Sequence, residues 1–252
     1  MCENDTFSIA IQYLSPEAGQ ITTPGINANG VAGVSIVSSA AGNTASMVVK
    51  VIASASNSGV NTFYLTGTDN GTLSQITQSP ITLNIRPLPQ INFTYNPSSF
   101  ILANTPVTFT NNSTNCFSPT WDFGDGSPTS TLINPTHTYT QRNTYSVKLS
   151  CTNSVGCSNS ENKDVKILLG IEEPNVFTPN GDGVNDKLIF KYLEDYSNSN
   201  LTIFNRWGNK IYESLDYKND WNGGTHPAGA YYYILKIPNE IKDRKGFVEM
   251  IK

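Results

Sequence analysis

Three groups of side chains in this sequence stand close enough together to do chemistry. Asp122, Asp125 and His137 bring two carboxylates and one of only two histidines into one short stretch, a set able to move a proton or hold a metal. Asn180, Asp182, Asn185 and Asp186 gather side-chain oxygens in a single loop, which suits a hard cation such as calcium. Cys2, Cys116, Cys151 and Cys157 are the sulfur ligands or disulfide partners available. Each group also has a plainer reading. Gly124-Asp125-Gly126 is foremost turn chemistry, and a lone histidine is more often structural. The 180–186 loop lacks the glutamate an EF-hand needs at its twelfth position, where Lys191 or Leu193 would stand; a hydrogen-bonded turn is the preferred reading. No paired CxxC, GxSxG, HExxH, P-loop or GxGxxG pattern occurs. Catalysis and a resident cofactor are therefore not expected within the chain.

The elements that position these groups read as strands. The 252 residues exceed a typical single domain. Hydrophobic residues make up 38% and charged residues only 14%, with a net charge of −4. That balance offers no basic footprint for nucleic acid, and no apolar run is long enough for direct membrane insertion as a helix. The start, MCENDTFSIA, lacks the regions of a signal peptide, so a secreted protein would be represented here by a fragment. Residues 1–150 hold only Lys50, Arg86, Arg142 and Lys148 as cations and are rich in Ser, Thr, Asn, Gly and Ala. Short β-branched runs alternate with Asn-Gly and Asp-Asn-Gly turn signals, the pattern of sandwiches or barrels.

Three tandem immunoglobulin-like β-sandwich domains are the expected all-β architecture, over residues 1–88, 89–169 and 170–252. In the first, strands are expected at Phe7–Ile11, Val31–Val37, Met47–Ile52, Thr62–Thr66 and Ile81–Ile85, followed by an extended Arg86-Pro87-Leu88-Pro89 linker.

Trp121-Asp122-Phe123-Gly124-Asp125-Gly126, then Pro135-Thr136-His137-Thr138-Tyr139, Tyr145 to Leu149 and Asn153 to Gly156, resemble the PKD domain. That is an immunoglobulin-like sandwich of cell surfaces, generally a spacer or interaction module. Trp121 and Phe123 share one strand face, and Tyr145, Val147, Leu149 and Cys151 should point inward. In such a sandwich the loops bearing Cys116 and Cys157 emerge at one end, which makes Cys116–Cys157 the preferred disulfide and Cys116–Cys151 the runner-up. Cys151 would then pack as a small apolar thiol. Cys2 stays unassigned, its partner not necessarily present.

The last segment carries Thr178-Pro179-Asn180-Gly181-Asp182-Gly183, Asn185-Asp186, Arg206-Trp207-Gly208, Trp221, Gly229, Tyr231, Tyr233 and Gly246 in order. This set resembles the gliding-motility-associated C-terminal domain, the type B sorting domain of the type IX secretion system of Bacteroidetes. The resemblance implies passage through the periplasm and the type IX secretion translocon to the cell surface, with a PorP/SprF-type outer-membrane β-barrel protein as partner. It also implies the end of a gliding or adhesion protein. The alternative is a set of extracellular binding or spacer modules attached to an upstream secreted hydrolase. Ile203 and the inward member of Arg206-Trp207 are expected in the core, as are Trp221, Tyr231, Tyr233 and Leu235. Arg206, Lys242, Arg244 and Lys245 form a modest basic grouping. With a final strand from Gly246 to Lys252 at a sheet edge, that grouping could meet a receptor.

Overall fold

The computed structural model of the protein describes residues 1–14, 19–71, 76–238 and 242–252. It is all-β, with tandem immunoglobulin-like β-sandwich modules followed by a third module built on a single five-stranded sheet. Among the described residues, eighteen strands and two single-turn 3-10 segments account for the regular structure, and there is no α-helix.

The first module holds β1 (Thr6–Leu14), β2 (Thr22–Asn27), β3 (Val34–Ala40), β4 (Thr44–Ile52), β5 (Gly59–Asp69) and β6 (Ile76–Ile85). They form two facing antiparallel sheets, β1-β4-β3 and β2-β5-β6. The period-2 alternation of β4 sends Ala45, Met47, Val49 and Val51 inward, where the last three meet Phe63 and Leu65 of β5. The strand expected from Val31 begins only at Val34. Gly33 adopts φ +78° just before it, so Val31 plugs the core from the preceding turn instead.

The second module comprises β7 (Phe93–Asn96), β8 (Ile101–Leu102), β9 (Pro106–Asn111), β10 (Ser118–Asp122), β11 (Thr136–Thr138), β12 (Asn143–Thr152) and β13 (Ser158–Leu168). Its sheets, β10-β12-β13-β8 and β11-β9-β7, enclose Trp121, Phe123, Tyr145, Val147, Leu149 and Cys151, all buried. Trp121 is wholly buried and still satisfies its indole N–H, which donates to Leu132 O at 3.0 Å. The Tyr145 hydroxyl donates to Gln141 O at 3.1 Å, the tyrosine corner of immunoglobulin-like sandwiches. Tyr231 repeats it in the third module, donating to Pro227 O at 2.6 Å.

The third module has β14 (Val176–Phe177), β15 (Asn200–Phe204), β16 (Lys210–Ser214), β17 (Gly229–Lys236) and β18 (Arg244–Met250) in one sheet ordered β14-β18-β17-β15-β16. Its inner face is covered by irregular chain that contributes Leu188, Phe190, Leu193, Tyr196, Tyr217 and Trp221. The final strand is not an edge as expected. It lies between β14 and β17, and the β14 segment covers its last residues by parallel pairing of Val176 with Glu249 and Phe177 with Met250.

Two corrections concern sulfur. Cys116 bonds to Cys151, not to Cys157, and Cys157 bonds to Cys2. Pairing of β10 with β12 continues past Ser118 through Phe117 N to Thr152 O at 2.9 Å. The ladder itself sets Pro119 opposite Cys151, and the chain leading into β10 brings Cys116 to a Cα–Cα distance of 5.2 Å from the inward-facing Cys151. Cys157, beyond the β12–β13 turn, faces the first module, where Cys2 lies against Arg86.

The second and third modules meet through Arg142, whose Nε lies 2.6 Å from the Asp195 carboxylate, and through Phe100 stacked on Tyr196 with centroids 6.2 Å apart. The Tyr196 hydroxyl donates to Leu169 O at 2.7 Å, and Leu168 packs in the third module's core.

The Cys116–Cys151 bridge closes a segment with a sequence separation of 35. Replacing both cysteines by alanine is expected to lower the stability of the second module by about 3–4 kcal/mol, read from chemical denaturation under non-reducing conditions.

Candidate functional site

Of the proton-transfer set, the fold assembles two members. His137 Nε2 lies 2.7 Å from Asp125 Oδ2. The imidazole is stacked on Phe123 with centroids 4.1 Å apart and meets Tyr139 edge-on at 4.6 Å, so it is clamped by rings on two sides. Asp122 is spent elsewhere, accepting the Gly124 amide at 2.9 Å. Asp125 also takes the Ser127 amide and hydroxyl. Burial pushes the Asp125 carboxyl up, but hydrogen bonds from Ser127 and His137 and the charge of His137 outweigh it and hold the group below its ordinary value. Gly124 is dictated by close approach as well as by its φ of +77°, since a Cβ there would stand 2.7 Å from Ser146 O. The arrangement locks a turn against β12.

The loop from Thr178 to Asp186 builds itself from its own side chains. Asp186 accepts the Gly181 amide at 2.7 Å through one oxygen and the Gly183 amide at 2.8 Å through the other. Asn180 accepts the Asp182 amide at 3.0 Å and donates to its carboxylate at 2.9 Å. Asp182 accepts the Val184 amide at 2.7 Å, which, with the Asn180 contact, holds its carboxyl below the usual range. Thr178 closes the loop by donating its amide to Asn185 O at 2.7 Å and its hydroxyl to Val184 O. Pro179 follows directly and is half-buried. Three of the four side chains read as a cation set, those of Asn180, Asp182 and Asp186, thus accept the loop's own amide protons, while Asn185 takes part through its backbone carbonyl, and Gly181 and Gly183 at φ +82° and +87° bring those amides round.

The aromatic motif residues divide between core and surface. Trp221, Tyr231, Tyr233 and Leu235 are buried. Tyr233 lies across from Gly246 in the ladder, and its ring and hydroxyl occupy the space a Cβ at 246 would need. Its hydroxyl donates to Glu173 at 2.8 Å. Gly229 begins β17 with φ +141°. Arg206 and Trp207 depart from expectation because neither turns inward. β15 ends at Phe204, and Asn205 reverses the chain. Its side chain accepts the Trp207 amide at 3.1 Å and the Asn209 amide at 3.0 Å, and Gly208 follows at φ +80°. Trp207 is left 73% exposed with the Arg206 guanidinium over its ring at 4.9 Å. The turn borders a groove lined by Ile211, His226, Pro227 and Tyr231.

Beside that turn, the sheet's outer face carries Phe204 opposite Tyr232 and Tyr232 opposite Phe247. Tyr232 is 51% and Phe247 59% exposed. Phe247 was not legible as a surface residue, although its odd offset from the inward Val248 is the signal that places it there. Arg206 stands apart from the rest of the expected basic grouping. Arg206 follows Phe204, whereas Arg244 pairs opposite Leu235 at the far end of the same strands. Arg244 also donates to Ile171 O and stands 3.6 Å from Glu173.

Residues 86–167 match the family model of the PKD domain, and residues 171–250 match that of the CHU_C type IX secretion signal domain. No curated protein sequence matches the chain. Among solved structures, the chain is similar to the PKD1 domain of the Vibrio cholerae metalloprotease PrtV, at 32% identity over 32% of this chain and 96% of that one, with a TM-score of 0.28. It is similar to the PKD1 domain of Vibrio anguillarum Epp at 26% identity over 33% of this chain and 96% of that one, with a TM-score of 0.29. An I-band fragment of titin aligns at 9% identity over 99% of this chain and 93% of that one, with a TM-score of 0.36.

Two measurements check the geometry. A carboxyl held below its unfolded value stabilises the fold above that value and stops doing so as pH falls through the folded one. The stability gap between wild type and Asp125→Asn should therefore shrink as pH falls below about 4. Asp186→Ala strips two charge-assisted bonds from a half-exposed loop and should cost about 1–2 kcal/mol, with faster amide exchange at Gly181 and Gly183.

Proposed function

Because residues 86–167 are a PKD domain and residues 171–250 a type IX secretion signal domain, we propose that the chain is a segment of a cell-surface adhesion or gliding protein. On this reading its last domain is bound by the type IX translocon and by an outer-membrane β-barrel of the PorP/SprF type. The secretion signal domain itself marks the protein for export by that system and for the cell surface. The matched domains are non-catalytic modules, and the reading asks for no cofactor and no reaction. No described helix is long and apolar enough to cross a membrane.

The observation that carries the reading is the match over residues 171–250. On that domain, the surface best suited to a protein partner is the turn at Asn205–Asn209. Two of the chain's three tryptophans are buried, while Trp207 is held outward by a turn with little freedom to fold it away. Arg206 has no carboxylate partner among the described residues, and Tyr232 and Phe247 extend the aromatic surface nearby. Tryptophan, tyrosine and arginine are the residues that dominate protein interfaces when truncated.

The whole chain, placed behind a signal for inner-membrane export in a type IX-competent bacterium, should reach the medium or cell surface only when the translocon is intact. Trp207→Ala should lower that export about tenfold, the effect of a typical interface anchor, while leaving thermal unfolding unchanged. Export that persists without the translocon would refute the targeting role. Unaltered export of Trp207→Ala would move recognition to another face.

A further inference from the structure

The beginning and end of the first module lie side by side. Met1 O accepts the Arg86 amide at 3.0 Å, and Arg86 O accepts the Glu3 amide at 3.0 Å. Cys2, between them, reaches across the module boundary to the buried Cys157, a link with a sequence separation of 155. The residues around that bond tie down the linker. Asn153 donates its side-chain amide to Pro87 O at 3.0 Å while its oxygen accepts the Cys157 amide at 2.9 Å. Asn159 donates to Pro89 O at 3.0 Å, and the Leu88 amide donates to Glu3 at 3.3 Å.

From this connectivity we infer that the first module hangs beside the line of tension rather than in it. A pull between the two ends of the chain runs from Cys2 through the disulfide into Cys157, along β13, and on into the last domain. Residues 3–156 form a closed covalent ring between the two sulfurs. Hydrogen bonds within the ring are not strained by the pull, because a covalent bond bridges them. The next part of the path has almost no slack either. β13 is 11 residues of already extended strand, held between β12 and β8, and a strand at about 3.3 Å per residue is near the limit of chain extension. The device keeps a surface module folded, and any binding face it carries intact, under a load that opens the last domain. This inference concerns any pull on the two ends and does not depend on the route of export.

Force–extension of the full oxidised chain, with handles at residues 1 and 252, tests it. The contour released on complete unfolding should not exceed about 340 Å, the reach of the residues beyond Cys157. The Cys2→Ser/Cys157→Ser variant, which keeps the Cys116–Cys151 bridge, should release about 400 Å more, more than doubling the total. Release beyond the lower limit by the oxidised wild-type chain would overturn the inference, as would peptide mapping that finds Cys2 and Cys157 unbridged. The wild-type measurement decides the matter alone, so a variant that failed to fold would not remove the test.

Discussion

An asparagine or aspartate oxygen accepting the backbone amide two residues ahead is the interaction on which most of this structure rests. It fixes the turn at Asn27–Asn29 and the turn at Asp69–Gly71 in the first module. In the second it recurs at Asn111–Ser113, Asp122–Gly124, Asp125–Ser127 and Asn153–Val155. In the third it sets Asn180–Asp182, Asp182–Val184, Asn205–Trp207 and Asn222–Gly224. A strand reversal leaves amides with no ladder partner, and leaving them unmet costs about as much as a lost hydrogen bond. The short Asn or Asp side chain meets them locally, without a charge partner and without a long loop. The same economy explains why a chain with so few charged residues holds so many polar ones. It also explains why apparent clusters of chemical groups turn out to be turns.

With reversals settled locally, the cores can be simple. Each strand contributes alternate residues, and aromatic rings fill the space between layers: Trp121 against Phe93 and Phe109 in the second module, Trp221 against Phe177 and Tyr231 in the third. The Tyr145 and Tyr231 hydroxyls and the Trp121 indole nitrogen donate to backbone carbonyls. The boundaries are where the modules differ. The first junction is covalent, through Cys2–Cys157, with Asn side chains holding the proline linker. The second is an ion pair and a stacked ring pair, Arg142 with Asp195 and Phe100 with Tyr196.

The division between core and surface follows from register more than from residue type. Tyr231 and Tyr233 are buried while Tyr232 between them is exposed, as alternation requires. Trp207 is the counterexample to hydrophobicity alone. Its place beyond the end of β15, where Asn205 turns the chain, outweighs its size and leaves it in solvent. Gly246 is small because the Tyr233 ring crosses it, a relation between two strands that neither strand shows separately.

The sequence by itself determined the all-β class, turn positions, the inward faces of β12 and β17, and the resemblance of the second and third modules to PKD and type IX secretion signal domains. These are local properties, carried by period-2 alternation and by turn residues a few positions apart. Only the tertiary structure decided which cysteines meet, that the last strand is flanked by β14, and that Arg206 and Arg244 stand at opposite ends of one sheet. Those facts depend on strand order and register between segments far apart in the chain. A strand's own residues specify which face is apolar, but not which neighbour lies along its edge or how far it has slid.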